Sequence, residues 1–301
     1  MKLAITGATG FVGSHLLDQA LAAGHEVQAL TRREQPSRPS VEWIAGGLDD
    51  RSALEQLVDG ADAVIHVAGT INAPNAAGFD KGNVEGTLAM LAAATAGGVR
   101  RFIHVSSLAA REPKLSLYGG SKAKAEELVH GSGLDWAIVR PPAVYGPGDK
   151  ETLELFRMAK IGLMLMPPKG RVSVIHADDL ARLLLALAGP AAPSNILIEA
   201  DDGRPGGWTH REFAHALAAA LNKKPVVFSS PGVLLRFAAR IDHFVRREKA
   251  KLTADRAAYF SHRNWVIEPK RACPPQLWKP EIETMRGLKE TADWYRATGW
   301  L

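Results

Sequence analysis

Residues 5–13 read ITGATGFVG, and this stretch joins an apolar strand candidate to a helix candidate. Its three glycines, Gly7, Gly10 and Gly13, permit a tight turn, a close approach of the backbone to phosphates and close packing of helix on strand. The unpaired N–H groups of the first helical turn then point at a pyrophosphate. The spacing differs from the Gly-x-Gly-x-x-Gly of many dehydrogenases, but its place between strand and helix predicts dinucleotide binding.

Strands and helices alternate from the N-terminus to residue 199. Apolar runs predict strands at 3–5, 26–30, 41–45, 63–66, 101–105, 136–139 and 195–199. Helix candidates lie between them, at 11–23, 51–58, 81–96, 118–130 and 178–188. This alternation indicates an α/β fold, a doubly wound parallel sheet with helices on both faces.

The composition changes near residue 203, after which aromatic and basic residues increase and strand candidates become rare. We expect a smaller, mostly helical C-terminal domain that binds the substrate and closes over the carboxyl edge of the sheet. The predicted nucleotide-binding domain comprises 1–148 and 171–202. The predicted substrate-binding part comprises 149–170 and 203–301.

The overall composition is that of a globular protein, with 46% apolar and 23% charged residues and a net charge of +5. The single cysteine, Cys273, excludes an intramolecular disulfide, and we expect an inert thiol in a reducing cytoplasm. No signal peptide is expected, because a strand candidate begins at Lys2. No apolar run reaches the roughly 18 residues that span a bilayer, and no metal site is predicted.

The end of the second strand candidate bears on the choice of cofactor. Many NAD-binding enzymes place an acidic residue there to hold the ribose hydroxyls. This chain has Thr31, Arg32 and Arg33 instead. Two guanidinium groups suit the 2′-phosphate of NADP(H), which arginine binds in fork geometry. NADP(H) is therefore predicted, and a solvated basic loop in an enzyme that takes NAD(H) is the alternative.

Tyr118 precedes Lys122 by four residues at the start of a helix candidate, so the two side chains share one helix face. Taken alone, such a pair is either an ordinary surface pair or a phenol whose acidity an ammonium tunes. The rest of the chain decides between the two.

Eight short stretches follow one another in a characteristic order: 6–13 (TGATGFVG), 46–50 (GGLDD), 66–69 (HVAG), 83–87 (NVEGT), 106–107 (SS), 118–122 (YGGSK), 140–149 (RPPAVYGPGD) and 176–181 (HADDLA). With them the chain resembles, over most of its length, the extended short-chain dehydrogenases/reductases, the family of NAD(P)-dependent epimerases and dehydratases. The resemblance implies a Rossmann-type fold. The stretches are specific for the family and not for a substrate.

The resemblance also implies catalytic roles. Tyr118 is the general acid/base, Ser107 holds the substrate oxygen, and Lys122 binds the nicotinamide ribose. We expect the Lys122 ammonium to lower the pKa of the Tyr118 phenol, so that the phenol exchanges protons near neutral pH. Ser106 is expected to be structural. Asn83 either supports a proton-relay water or makes a helix–helix hydrogen bond.

The cofactor-binding residues implied by the resemblance are Gly7, Thr9, Gly10, Phe11, Val12, Gly13, Arg32, Arg33, Leu48, Ala68, Gly69, Asn83, Tyr118, Lys122, Pro141 and Val144. Two further residues that could act as acids, Tyr145 and His176, are expected to be scaffold residues.

The chain departs from the family pattern in two places. Only eleven positions separate Ser107 from Tyr118, fewer than in typical sugar-nucleotide epimerases, and Gly47 replaces an aspartate expected near the adenine. The short stretch after Ser107 is similar to the branch that contains the NADPH-binding accessory subunit of respiratory complex I, where nucleotide binding can be structural. Bacterial ceramide-pathway reductases, which reduce a 3-oxo sphingoid group, belong to the same broad family.

Two C-terminal features indicate an apolar ligand or partner. Residues 162–168 form an apolar loop with two methionines, a residue type that adapts to flexible ligands, with core packing as the alternative. Residues 231–251 combine apolar residues at helical spacing with a basic face, which predicts a contact with an anionic membrane surface. An ordinary packing helix is the alternative, and no nucleic-acid-binding motif accompanies the charge.

The sequence thus predicts a cytoplasmic NADPH-dependent reductase of a ketone, peripheral to the inner face of the membrane. The expected substrate is a lipid or acyl-chain 3-oxo compound such as a 3-oxo sphingoid or ceramide. Two alternatives stay open. One is a nucleotide-sugar epimerase or dehydratase with bound NAD, and the other is a non-catalytic NADPH-binding assembly subunit.

Overall fold

The computed structural model describes residues 1–229 and 254–301. The strands in this part of the chain are β1 (Lys2–Thr6), β2 (Glu26–Thr31), β3 (Val41–Ala45), β4 (Ala63–His66), β5 (Arg101–Val105), β6 (Asp135–Arg140), β7 (Ala143–Tyr145), β8 (Leu163–Met166), β9 (Arg171–Val172), β10 (Val174–His176), β11 (Ile196–Glu199), β12 (Trp208–Thr209), β13 (Val226–Ser229) and β14 (Asn264–Trp265). Seven of them form one parallel sheet in the order β11-β6-β5-β4-β1-β2-β3. The strand order reverses between β1 and β4, as in a doubly wound sheet.

The helices of the described residues are α1 (Phe11–Ala22), α2 (Arg51–Val58), α3 (Ala76–Asp80), α4 (Gly86–Ala96), α5 (Leu117–His130), α6 (Glu151–Lys160), α7 (Ala177–Ala188), α8 (His210–Ala219) and, towards the C-terminus, Ala254–Ser261 and Thr284–Ala297. A π-helical turn, Lys81–Glu85, joins α3 to α4, and 3₁₀ turns lie at Leu108–Arg111 and Pro269–Arg271. The predicted α/β fold is confirmed.

The predicted helix at 81–96 differs in detail, because its first residues form the π-helical turn. Gly82 lies so close to Thr70 that a Cβ at Gly82 would sit 1.9 Å from the Thr70 Oγ1 atom. The Asn83 side chain accepts a hydrogen bond from the Thr70 N–H at 2.7 Å. The wider π turn accommodates the loop that presses against the helix at this point.

Capping residues fix where the helices begin. Asp50 accepts a hydrogen bond from the Ala53 N–H at 3.1 Å at the start of α2. Ser116 accepts one from the Gly119 N–H at 3.0 Å at the start of α5. Such caps satisfy N–H groups that have no partner inside the helix. The cap on α5 places Tyr118 in the first turn of that helix.

The chain divides into two compact units. The first comprises 1–141, 180–199 and 271–279, and its core includes the fully buried Phe102 and Ile138. The second comprises 142–179, 200–270 and 280–301, and its core includes Phe156 and Tyr295. Residues 142–148 and 171–179 belong to the second unit, because β7 pairs with β10 inside it. The assignment of a substrate-binding domain stays a prediction.

The predicted basic helix at 231–251 lies outside the described residues. Among the residues that are described, no helix has the length and apolar character needed to cross a membrane.

Candidate active site

Only glycine fits at two positions, Gly7 in the turn between β1 and α1 and Gly13 in the first turn of α1. Gly7 has φ +74°, and a Cβ there would lie 2.8 Å from the backbone nitrogen of Ala68. A Cβ at Gly13 would lie 1.9 Å from the Gly7 carbonyl oxygen. Gly10 precedes α1 and provides no side-chain cap. The turn therefore presents backbone alone at the helix N-terminus, and these residues fit the pyrophosphate of a dinucleotide.

A cavity of about 530 Å³ opens at the ends of β2 and β3, where Arg32 and Arg33 line it together with Trp43 and Gly47. Glu34 and Asp49 also line the cavity, so charges of both signs face it. Within the described residues neither guanidinium makes a hydrogen bond or ion pair, whereas Asp49 lies 3.7 Å from the Lys81 ammonium. Two unpaired cations thus stand where the predicted 2′-phosphate would bind.

Ser107, Tyr118 and Lys122 meet at the carboxyl end of β5. Ser107 caps the 3₁₀ turn after the strand, and its hydroxyl lies close enough to the Tyr118 phenol to lower the phenol's pKa. Lys122, one turn further along α5, is 4% exposed and donates a hydrogen bond from Nζ to the Val105 carbonyl oxygen at 2.9 Å. The Tyr118 ring is partly exposed and packs against Phe79 with ring centroids 6.1 Å apart. The pair is therefore not an ordinary surface pair.

The pKa of Tyr118 is shifted upward, opposite to the net direction expected, because burial dominates. Burial raises the pKa of Tyr118, and the Ser107 hydroxyl lowers it by less. The ammonium is directed at the Val105 carbonyl oxygen. Burial lowers the pKa of Lys122 itself to about 8, against the opposing effect of the Glu126 carboxylate. Tyr118 is thus protonated near neutral pH, which suits a group that donates a proton.

A buried ionic network that the sequence interpretation missed lies behind Lys122. Glu126 accepts hydrogen bonds from Arg140 Nε at 2.8 Å and Nη2 at 2.6 Å, and also one from the Ser106 hydroxyl. Arg140 Nη1 also lies 3.5 Å from the fully buried Glu199, whose second oxygen is 3.6 Å from Arg111. The structural role expected for Ser106 agrees with this contact. The one signal in the sequence was the four-residue step from Lys122 to Glu126.

Asn83 connects the loop after β4 to two helices. Its side-chain nitrogen donates to the Thr70 carbonyl at 2.9 Å and to the Ser121 hydroxyl at 2.8 Å. A Cβ at Gly69 would lie 2.9 Å from the Asn83 oxygen and 3.1 Å from Lys122 Nζ. The helix–helix hydrogen bond is therefore present, and a proton-relay water at Asn83 stays a prediction.

Two stacked histidines lie beneath the site, at paired positions of β4 and β5. Thr6 Oγ1 accepts the Ala68 N–H and lies 2.8 Å from His66 Nδ1. Thr87 Oγ1 donates to the Asn83 carbonyl and so accepts from His66 Nε2 at 3.2 Å. His66 is therefore neutral with its proton on Nε2, because burial, and to a lesser extent Lys122, lower its pKa to about 3.

Other predicted residues lie elsewhere. Tyr145 and His176 are buried in the second unit, where their rings pack edge to face at 5.2 Å, as expected for scaffold residues. Cys273 is partly buried, and burial raises the pKa of its thiol to about 11. The predicted apolar loop is wrong in part. Residues 163–166 are the strand β8, and the two methionines face the core because they alternate with Leu163 and Leu165.

The remaining predicted cofactor residues have these positions. Leu48 packs against Gly86, where a Cβ would lie 2.6 Å from the leucine Cδ1. The Pro141 carbonyl accepts the Leu108 N–H at 3.0 Å, and Val144 lies in β7. Thr9 lies in the turn between β1 and α1, called here the phosphate turn, and Phe11 and Val12 are the first two residues of α1. Their contacts with a cofactor stay predictions.

The model of the NAD dependent epimerase/dehydratase family matches residues 3–196 of the chain. The chain belongs to this family. It is an NAD(P)-dependent oxidoreductase, as predicted, and a nicotinamide cofactor belongs to its chemistry.

Three similar proteins illustrate the range of the family. A ceramide reductase from Caulobacter vibrioides is 38% identical over 99% of this chain and 96% of its own. A 4-hydroxy-2-methyl-3-oxo-4-farnesyl-3,4-dihydroquinoline-1-oxide ketoreductase from Stigmatella aurantiaca is 30% identical over 68% of this chain and 69% of its own. The Bordetella bronchiseptica enzyme WbmH, solved in complex with NAD+, has a TM-score of 0.75 and 19% identity and covers 99% of both chains. This last likeness shows the fold alone.

Proposed function

We propose that the chain is an NADPH-dependent ketone reductase whose substrate is a lipid or acyl-chain 3-oxo compound of the ceramide type. One observation carries the reductase: the Ser107 hydroxyl acts on the pKa of the partly exposed Tyr118 phenol, which is protonated near neutral pH. The substrate class is supported by the ceramide reductase and by the ketoreductase of a farnesylated substrate.

The catalytic steps follow from the two hydroxyl groups. A bound nicotinamide cofactor supplies the hydride that reduces the carbonyl carbon. Ser107 donates a hydrogen bond to the carbonyl oxygen and orients it towards Tyr118. Tyr118 transfers its phenolic proton to the same oxygen, so that the ketone becomes an alcohol. The phenolate that is left takes up a proton from water, since the Tyr118 ring is partly exposed.

Lys122 acts on the charge that forms at Tyr118. A cation near the phenol stabilises the phenolate more than the phenol, so its effect grows as the proton leaves. The pKa of Lys122 is about 8, so its side chain keeps its positive charge at lower pH. The reductase is therefore expected to be active near neutral pH and to lose activity as Lys122 is deprotonated.

The preference for NADPH rests on Arg32 and Arg33. Both line the cavity at the ends of β2 and β3, and neither guanidinium has a partner among the described residues. A 2′-phosphate gives these cations a charged partner, whereas the 2′-hydroxyl of NADH does not. Glu34 and Asp49 in the same cavity reduce the net positive charge there, so the preference depends on direct contact with the guanidinium groups.

One experiment tests the cofactor preference and the substrate class together. The purified full chain is incubated with a 3-oxoceramide and NADPH or NADH, and absorbance of the reduced cofactor and the lipid product are followed together. We expect NADPH oxidation matched by the 3-hydroxy lipid, with a clear preference for NADPH. NADPH binding without turnover of any ketone would favour the assembly subunit. Purified protein that retains NAD and interconverts nucleotide sugars would favour an epimerase or dehydratase.

A further inference from the structure

An exposed apolar surface lies on the second unit, on one side of the two-stranded parallel sheet formed by β8 and β13. Val226 is paired with Leu163, and Phe228 with Leu165. Because side chains alternate along a strand, these four residues lie on one side of the sheet. The surface, called here the apolar face, consists of Leu163, which is 47% exposed, Leu165 (51%), Val226 (58%) and Phe228 (55%).

The opposite side of this sheet packs on the core of the second unit. Met164 and Met166, on the opposite side of β8, are buried in the core of the second unit, and Val227 of β13 packs against the same core. The pairing extends one residue beyond β8, because the carbonyl oxygen of Gly162 accepts the Val226 N–H at 2.9 Å. The exposure is thus a property of a fixed sheet. Contiguous exposed apolar side chains of this kind mark interaction sites.

The two segments that carry the apolar face contribute charge of one sign. The segments 160–169 (KIGLMLMPPK) and 222–229 (NKKPVVFS) contain four lysines and no aspartate or glutamate. All four lysines are exposed: Lys160, Lys169, Lys223 and Lys224. Lys160 donates to the carbonyl oxygen of Leu301 at 2.7 Å. Apolar side chains with flanking lysines match the chemistry of an anionic bilayer surface, which has acyl chains beneath negatively charged headgroups.

We propose that the apolar face inserts into an anionic lipid bilayer and that the flanking lysines bind its headgroups. A second copy of the chain fits less well, because a symmetric contact would place the lysines of both copies opposite each other. In the sequence, residues 230–253 carry six arginines and lysines against two acidic residues. The proposal does not depend on the substrate, since membrane binding is measured without turnover.

The experiment measures sedimentation of the full chain with vesicles of phosphatidylcholine alone and of phosphatidylcholine mixed with phosphatidylserine. We expect binding to the mixed vesicles that weakens as salt rises. Leu165→Gln should weaken it about tenfold, because an apolar side chain no longer enters the bilayer. Leu88→Gln is the matched control, since Leu88 is 54% exposed on α4 of the first unit, and it should bind like the wild type.

The lysines are tested separately. Lys223→Gln combined with Lys224→Gln should weaken binding to the mixed vesicles about 30-fold, given about 1 kcal/mol for each lysine near an anionic surface. Three outcomes would overturn the proposal. The first is no binding of the wild type to mixed vesicles. The second is wild-type binding by Leu165→Gln. The third is a wild-type dimer that Leu165→Gln converts to a monomer while neither protein binds vesicles.

Discussion

Glu126 lies one helical turn beyond Lys122 on α5, and its carboxylate opposes the effect of burial on the pKa of the lysine. Burial lowers the pKa of Lys122 to about 8, and Glu126 acts to raise it. The carboxylate is itself fixed by two hydrogen bonds from Arg140. The charge of Lys122 thus depends on an ion pair formed between a helix and a neighbouring strand.

Glu126→Gln should shift the alkaline limit of activity to lower pH. The substitution keeps the shape and removes the negative charge, so burial acts on Lys122 unopposed and its pKa falls below about 8. Above its pKa Lys122 is neutral and no longer stabilises the phenolate. The measurement is kcat/KM for the ketone against pH. Glu127→Gln, at the exposed next residue, is the control, and an unchanged profile for Glu126→Gln would contradict the role assigned to Glu126.

Tyr118→Phe should lower turnover by roughly two to four orders of magnitude, the range for loss of general acid–base help. NADPH binding should persist, since the phosphate turn and Arg32 and Arg33 are unchanged. Both quantities are measured, turnover by NADPH oxidation and binding by fluorescence titration. Tyr145→Phe, in the second unit, serves as control and should keep its rate. A wild-type rate for Tyr118→Phe would refute the catalytic role.

Replacing Arg32 and Arg33 together by alanine should change the choice of cofactor. Each charge-assisted hydrogen bond to a phosphate contributes about 1.5–3 kcal/mol, so NADPH should bind at least tenfold more weakly. NADH binding should change little. Arg38→Ala, which breaks an exposed pair with Asp18, is the control and should leave both affinities alone. If the wild type already prefers NADH, the assignment of these arginines is wrong.

His104→Leu should make the fold less sensitive to acid. Burial holds the pKa of His104 and that of His66 below 6.5, so below that pH the unfolded chain binds protons that the folded chain does not. The free energy of unfolding therefore falls as pH falls, by up to about 1.4 kcal/mol for each histidine and each pH unit. Neither ring nitrogen of His104 has a hydrogen-bond partner among the described residues, so its removal should cost little at pH 7.

Urea unfolding at pH 7 and pH 5 measures this effect. Between these values His104→Leu should lose less stability than the wild type, by up to roughly 2 kcal/mol. His66→Leu provides the contrast, because it also breaks the hydrogen bonds to Thr6 and Thr87 and should be destabilised at both pH values. Equal losses in His104→Leu and the wild type would show that His104 does not contribute to acid unfolding.

The sequence predicted those features that depend on local spacing. The alternating apolar runs predicted the parallel sheet, and the glycines of residues 5–13 predicted the turn after its first strand. Both patterns are properties of neighbouring residues. The Glu126–Arg140–Glu199 network escaped prediction, since its members come from a helix and two strands that only the fold brings together. The pKa of Tyr118 was predicted in the wrong direction, because helical spacing places Lys122 on the same face without showing that its ammonium bonds to Val105.

The π-helical turn at Lys81–Glu85 makes the chain intolerant of changes in length at this point. A π turn is one residue wider than an α turn, so deleting Gly82 would let α3 and α4 merge into one regular helix. The residue that then faced Thr70 would carry a side chain, and a Cβ at the place of Gly82 would lie 1.9 Å from the Thr70 Oγ1 atom. A shorter sequence would gain a more regular helix and lose the one residue that lets the loop after β4 approach it.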